Sequence, residues 1–285
     1  MRLGERIRRI EREDRLDPAV SRLAGIAERL PAGKARDLLH GVPLGHPVHP
    51  IAVHLPIGTW TAAVLLDVLP GGNRRASRLL IGTGILAALP AAVAGLADWS
   101  RLHERQRRVG AVHAAANGAA TLLFGVSLLS RLRGREGWGV ALGLAGAGAV
   151  GLGGLLGGHL SYYRASGANS ADALIDLVPE GWSDLGPLDG FPEGSPGRAD
   201  ADGVPVVVVR EGESVSALLG ACPHMGAPLA EGDLVDGCIR CPWHGSEFRV
   251  EDGSVVHGPA TAAPEVLETS VVEGRLMVRS PAARY

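Results

Sequence analysis

The sequence predicts two unlike domains in tandem, an all-α four-helix transmembrane bundle followed by a small all-β domain. Three observations predict it. Four apolar stretches, each near the length that crosses a bilayer, lie between residues 51 and 158. The tail instead alternates Val-rich runs with Gly, Pro and Asp turns. Charge divides the same way. Residues 1–170 hold 21 Lys and Arg against 11 Asp and Glu, whereas the remainder holds 7 against 19, so the formal net of −2 is a cancellation. Such asymmetry marks a membrane or acidic-partner contact at the basic end.

Residues 1–48 form a basic N-terminal segment with one short amphipathic helix. Asp17-Pro18 offers a capping side chain followed by proline at the first helical position, and Val20, Leu23, Ala27 and Leu30 then share a face. The opening residues are basic without an apolar core behind them, which is not the pattern of a cleaved signal peptide. The membrane domain occupies 49–160, with spans near Ile51–Leu69, Leu79–Ala97, Gly110–Leu129 and Trp138–Gly158 joined by Arg-rich connections. In the last span Gly139 and Gly143, Gly153 and Gly157, and Gly154 and Gly158 each stand four apart, which lets helices approach closely within the chain. Residues 161–178 are a linker, and 179–285 are the β domain, with strands expected at Val204–Val209, Val215–Leu219, Leu234–Arg240, Val266–Val272 and Arg275–Val278.

The chemistry sits in two short segments, Cys222-Pro223-His224-Met225-Gly226 and Cys241-Pro242-Trp243-His244-Gly245. Three cysteines are the wrong number for a disulfide framework, and their clustering near the end points to metal. A [2Fe–2S] cluster with two thiolates on one iron and two imidazoles on the other needs this mixed pair of loops, here Cys222, Cys241, His224 and His244. Zinc accepts the same four ligands, although its sites usually group cysteines together and histidines together. Gly226 and Gly245 suit tight turns that bring amides to the sulfurs, which tunes a cluster's potential. Cys238 is a spare thiol, read as a buried small residue.

These segments closely resemble a Rieske [2Fe–2S] ferredoxin-like domain over about the last 105 residues. The resemblance implies a third loop covering the cluster, His257-Gly258-Pro259-Ala260, with Pro259 at its centre. It also implies a disulfide in high-potential members, but the corresponding places here hold Gly226-Ala227 and Trp243. Ser246 keeps the position of a hydrogen bond to a cluster sulfur, while Phe248 stands where those members have a tyrosine. Losing that donor implies a low to middle potential.

In the membrane domain His54, Asp98, His113 and His159 lie toward the side of the bundle that carries the tails, as do Asn117, His46, His49 and His103, with Asp67 at the far end of the first span. Ionisable groups at that depth mark function or internal hydrogen bonding. Imidazoles on different helices could ligate haem b or line a quinone site, or hydrogen-bond one another and Asp98. Gly45-His46-Pro47-Val48-His49-Pro50, His54-Leu55-Pro56, Asp98-Trp99 and Gly157-Gly158-His159-Leu160 resemble a family of four-helix bacterial membrane domains of unassigned function over about 45–165. That resemblance implies architecture and no activity.

The expectation is a membrane-anchored one-electron carrier in a cell membrane, facing a redox partner protein or quinone, with its cluster domain on the cytoplasmic side and no nucleic-acid partner. The rival readings are a subunit of a quinol- or haem-dependent oxidoreductase and a membrane redox sensor. No segment offers a mononuclear iron site of two histidines and a carboxylate, so an electron-transfer component is favoured over a self-contained enzyme.

Overall fold

The computed structural model describes residues 3–212 and 214–281. Its helices are α1 (Leu3–Ile10), α2 (Asp17–Ala27), α3 (Lys34–His40), α4 (Val48–Ala52), α5 (His54–Val68), α6 (Arg74–Trp99), α7 (Glu104–Leu132), α8 (Glu136–Gly158) and α9 (Asp172–Ile175). The strands are β1 (Ser183–Pro187), β2 (Pro196–Ala201), β3 (Val204–Glu211), β4 (Ser214–Leu219), β5 (Asp233–Val235), β6 (Cys238–Arg240), β7 (Glu247–Arg249), β8 (Val255–His257), β9 (Val266–Val272) and β10 (Arg275–Arg279). The chain forms two units. One comprises Met1–Pro31 and Pro47–Ser166, the other Ala32–His46 and Gly167–Tyr285.

Within the helical unit, four segments are long and apolar enough to cross a membrane: Val48–Val68, Arg74–Trp99, Glu104–Leu132 and Glu136–Tyr163. A water-soluble bundle would bury its apolar residues against one another. Here Leu79, Leu86, Leu89, Leu122, Leu132 and Trp138 are all at least 60% exposed, as lipid-facing side chains must be. Pro56 has no N–H to offer Ala52, and α4 ends there before α5 begins.

Glycine sets how α7 and α8 pack. Gly139, Gly146, Gly153 and Gly157 of α8 receive the side chains of Arg131, Phe124, Asn117 and His113 of α7, and a Cβ on any of the first three would stand within 3 Å of its partner. These positions share one helix face. Gly154 and Gly158 meet nothing, so only part of the small-residue spacing is used within the chain. Phe124 stacks on Trp60 at 4.5 Å, and Gly84 makes room for that indole.

Buried polar networks close both ends of the bundle. At one end Arg108 holds Asp17 at 2.8 and 3.0 Å, so Asp17 serves as an ion-pair partner, without the capping bond expected of it. Nearby, Glu11 accepts from Arg164 Nε at 2.9 Å and lies 2.7 Å from His159 Nε2. At the other end Arg131 donates to both oxygens of Asp67 at 2.8 and 2.5 Å, and Ser77 donates to the same carboxylate at 2.8 Å. Arg108 and Arg131 lie about 35 Å apart along α7 at about 1.5 Å per residue, close to the ~30 Å hydrocarbon thickness.

The second unit carries a six-stranded sheet in the order β1-β10-β9-β4-β3-β2 and a four-stranded sheet in the order β5-β6-β7-β8, with neighbouring strands antiparallel. The valines of β3 alternate between two cores: Val206 and Val208 join Leu219, Leu267 and Leu276, while Val207 and Val209 join Leu218, Ile239 and Phe248. The expected strand Leu234–Arg240 is instead the hairpin β5–β6, because Asp236 and Gly237 take φ of 49° and 70° in a two-residue turn. Strands β1, β2, β7 and β8 were not foreseen. The expected linker 161–178 divides. His159–Tyr163 continues α8 as one π turn, while Ala171 and Val178 are buried in the β core. Residues 32–46, expected to belong with the N-terminal segment, are part of the β unit.

Arg131 is fully buried and the Asp67 side chain is 5% exposed. Arg131→Met should destabilise the detergent-solubilised protein by about 3–5 kcal/mol, because it leaves a buried carboxylate without its partner. Adding Asp67→Leu should recover most of that loss, and thermal unfolding of the three proteins measures both effects.

Candidate functional site

The two sequence segments fold into loops of the same shape. Cys222 follows β4 and Cys241 follows β6. In the first loop the Cys222 N–H donates to Ala227 O at 2.8 Å and Gly226 N–H to Cys222 O at 2.7 Å. In the second the Cys241 N–H donates to Ser246 O at 2.8 Å and Gly245 N–H to Cys241 O at 3.1 Å. Each turn needs a left-handed residue in its fifth position, and Gly226 and Gly245 supply it with φ of 74° and 75°.

The four candidate ligands converge in graded exposure. Cys222 and Cys241 are 1% and 3% exposed, within the core that also holds Leu229, Ile239 and Phe248. His224 and His244 are half-buried, their rings edge to face with centroids 4.9 Å apart. Trp243 beside them is exposed. The thiols hydrogen-bond each other unequally. The bond from Cys222, helped by the backbone N–H groups of Trp243 and His244, lowers the Cys241 thiol to about 6. Donating that bond and being buried hold the Cys222 thiol above its ordinary range, against the N–H groups of His224 and Met225. Cys238 lies apart in β6, buried, with its thiol raised by desolvation.

Of the expected neighbours, Ser246 and Phe248 are fully buried. Ser246 Oγ accepts the N–H of Ala260 at 3.0 Å, which ties the second loop to the third and leaves the hydroxyl hydrogen to donate. Pro259 lies between Gly258 and Ala260 in that third loop.

Two supports escaped sequence reasoning. Ser170 binds the first loop through its N–H to Pro223 O at 2.8 Å and its hydroxyl to His224 O at 3.2 Å. Asp37 binds the third loop, one oxygen accepting from His257 Nδ1 at 2.7 Å and the other from Gly258 N–H at 3.0 Å. Val42 and His40 lie so close to Gly258 that a Cβ there would stand 2.9 and 3.5 Å from them. Asp37 is 220 residues from His257, so no spacing could signal the contact.

The membrane candidates are placed separately. His54 Nδ1 lies 3.2 Å from Ile51 O, one turn earlier in the chain, and His159 pairs with Glu11. Asp98 lies half-buried in the last turn of α6. His113 is brought to His49, with ring centroids 6.2 Å apart.

Residues 181–274 match the family model described as the Rieske [2Fe-2S] domain, and residues 45–169 match the predicted membrane protein family DUF2231. The anthranilate 1,2-dioxygenase ferredoxin subunit of Burkholderia cepacia is 33% identical over 97 residues, 34% of this chain and 90% of that protein. Apoptosis-inducing factor 3 of Homo sapiens is 33% identical over 75 residues, which are 26% of this chain but 12% of that protein. Among solved structures, the ferredoxin of carbazole 1,9a-dioxygenase from Nocardioides aromaticivorans IC177 is 29% identical, with 35% of this chain and 98% of that one covered at a TM-score of 0.34. The first relative is matched over nearly its whole length, and a Rieske domain implies one [2Fe–2S] cluster. The chain belongs to the Rieske [2Fe-2S] family, its β domain following a membrane domain of the DUF2231 family.

Proposed function

We propose that the protein is a membrane-anchored one-electron carrier of low to middle potential. Cys222 and Cys241 would hold one iron of the cluster and His224 and His244 the other. The observation that carries this reading is the donor set itself. Two thiols lie buried with four backbone N–H groups aimed at them, and two imidazoles lie on the solvent side. That asymmetry fits iron with sulfur ligands at one end and nitrogen ligands at the other. The cluster supplies reversible uptake of one electron, and this chain's residues position and tune it. The loop N–H groups favour the more negative reduced state, Phe248 offers no hydroxyl to add to them, and the half-exposed imidazole edges with Trp243 give a partner protein or quinone its point of approach. Placement of the β domain on the cytoplasmic side follows the excess of Lys and Arg on the side of the tails, where only those near the spans carry weight. A second reading makes the membrane unit redox-active as well, within a quinol- or haem-dependent oxidoreductase, and the His49–His113 pair favours it.

Detergent-purified protein prepared without oxygen should contain two irons and two acid-labile sulfides per chain and, after dithionite reduction, give a rhombic Rieske paramagnetic resonance signal. Cys241→Ser should lose that signal. Zinc in place of iron and sulfide would sink the assignment.

Asp37 generates a second expectation. Its carboxylate holds the third loop and places negative charge beside it, so Asp37→Asn should keep the Rieske signal while raising its midpoint potential by on the order of tens of millivolts. A redox titration followed by the same signal measures the shift, and an unchanged midpoint would separate this contact from cluster tuning.

A further inference from the structure

We propose that His49 and His113 are the two axial ligands of a haem iron held inside the helical unit. This goes beyond the electron-carrier reading of the β domain and does not depend on it.

The sequence keeps these residues 64 positions apart, and the fold joins them. His49, in the single turn before α5, is seated on α6, where its Nδ1 lies 2.8 Å from the carbonyl oxygen of Ala91. His113, on α7, is seated on α8, where its Nδ1 lies 2.8 Å from the carbonyl oxygen of Gly153. A carbonyl can only accept, so Nδ1 carries the proton in both rings and Nε2 is the nitrogen with a lone pair. Imidazoles that ligate metals are fixed in this way, with the far nitrogen bound to a backbone oxygen and the near one left basic. The Asn117 amide does not claim that lone pair. Its nitrogen donates to His113 O at 2.9 Å and lies 3.4 and 3.3 Å from the two ring nitrogens, so it sits equidistant from them and not along either lone pair.

The spacing selects the kind of metal site. Two imidazoles on opposite sides of one metal, each bonded at about 2.0 Å, place their ring centroids about 6 Å apart. His49 and His113 stand at 6.2 Å, their planes 82° apart. No group of three or more His, Cys, Asp and Glu able to hold a metal ion is found among the described residues. A bare zinc or copper ion would lack ligands here, whereas iron already bound by four macrocycle nitrogens needs two more. The surroundings are built around the rings. A Cβ on Gly95 would stand 2.7 Å from His49 Nδ1, one on Gly157 would stand 3.2 Å from His113 Cε1, and one on Gly153 would stand 2.5 Å from Asn117. The pair lies across the seam between the α4–α6 and α7–α8 hairpins, where helical bundles place cofactors in contact with facing helices.

The test uses full-length protein purified in detergent from cells supplied with a haem precursor. Dithionite-reduced protein should show the sharp visible bands of six-coordinate low-spin haem, with about one haem per chain by pyridine extraction. Because near-perpendicular imidazole planes leave the iron's two dπ orbitals nearly degenerate, the oxidised protein should give a strongly anisotropic low-spin resonance. His49→Ala and His113→Ala should each abolish these bands, His54→Ala should leave them, and His113→Met should keep haem with a shifted spectrum and a higher potential. The Rieske signal of each variant reports separately on folding of the chain and on the electron-carrier reading. Haem-free protein that retains a Rieske signal overturns this inference alone, as does copper or zinc bound in place of haem. Haem bands without a Rieske signal would support it while removing the carrier reading.

Discussion

Burying two sulfur atoms against each other is the constraint from which most of the β domain's construction follows. Thiolate charge in an apolar core is costly unless donors surround it. Here the donors are backbone N–H groups of His224, Met225, Trp243 and His244. Amides converge on a sulfur only if the chain turns tightly behind it, and that requires Gly226 and Gly245 in left-handed geometry. The turns must then be held. Ser246 braces the second loop on Ala260, Ser170 braces the first, and Asp37 braces the third. The two sheets supply the apolar wall through Val207, Val209, Ile239 and Phe248.

The helical unit meets a different constraint with different means. Lipid gives its apolar side chains no reason to associate, so close packing and internal polar bonds have to hold the helices together. The glycine face of α8 provides the close packing. The polar bonds are concentrated at the ends, Arg108 with Asp17 at one and Arg131 with Asp67 at the other, while the middle is filled by Trp60, Ile81 and Phe124. The His49–His113 pair adds imidazoles between helices within a few residues of the Arg108 end.

What could be seen in the sequence was local in the chain. The cluster loops were legible because each is one contiguous segment with its glycine at a fixed offset, and the spans were legible because length and hydropathy need no partner. The four-residue glycine spacing exposed the α8 packing face but could not name the α7 side chains that occupy it. Short strands such as β7 and β8, three residues each, fall below any usable periodicity. By sequence Arg131 is one of several arginines in a connection between spans, yet it is the buried partner of Asp67, 64 residues earlier. Asp37 was equally hidden, because its partners His257 and Gly258 meet it only after folding.

Asp37 also shows how weak contacts can be sufficient when the chain is routed appropriately. Segment 32–46 belongs to the β unit, while its neighbours on both sides, up to Pro31 and from Pro47, belong to the helical unit. Two hydrogen bonds, each worth about 0.5–1.5 kcal/mol net, would not retain a free peptide of that length on the third loop. Covalent continuity at both ends makes the encounter intramolecular, so the two bonds add to the packing of Val42 and His40 against Gly258 and need not supply the whole cost of association. A Rieske domain with no such preceding segment must brace its third loop from its own residues. In this chain Asp37 adds a brace from outside both family-matched stretches, beside the one that Ser246 supplies to the third loop from within 181–274.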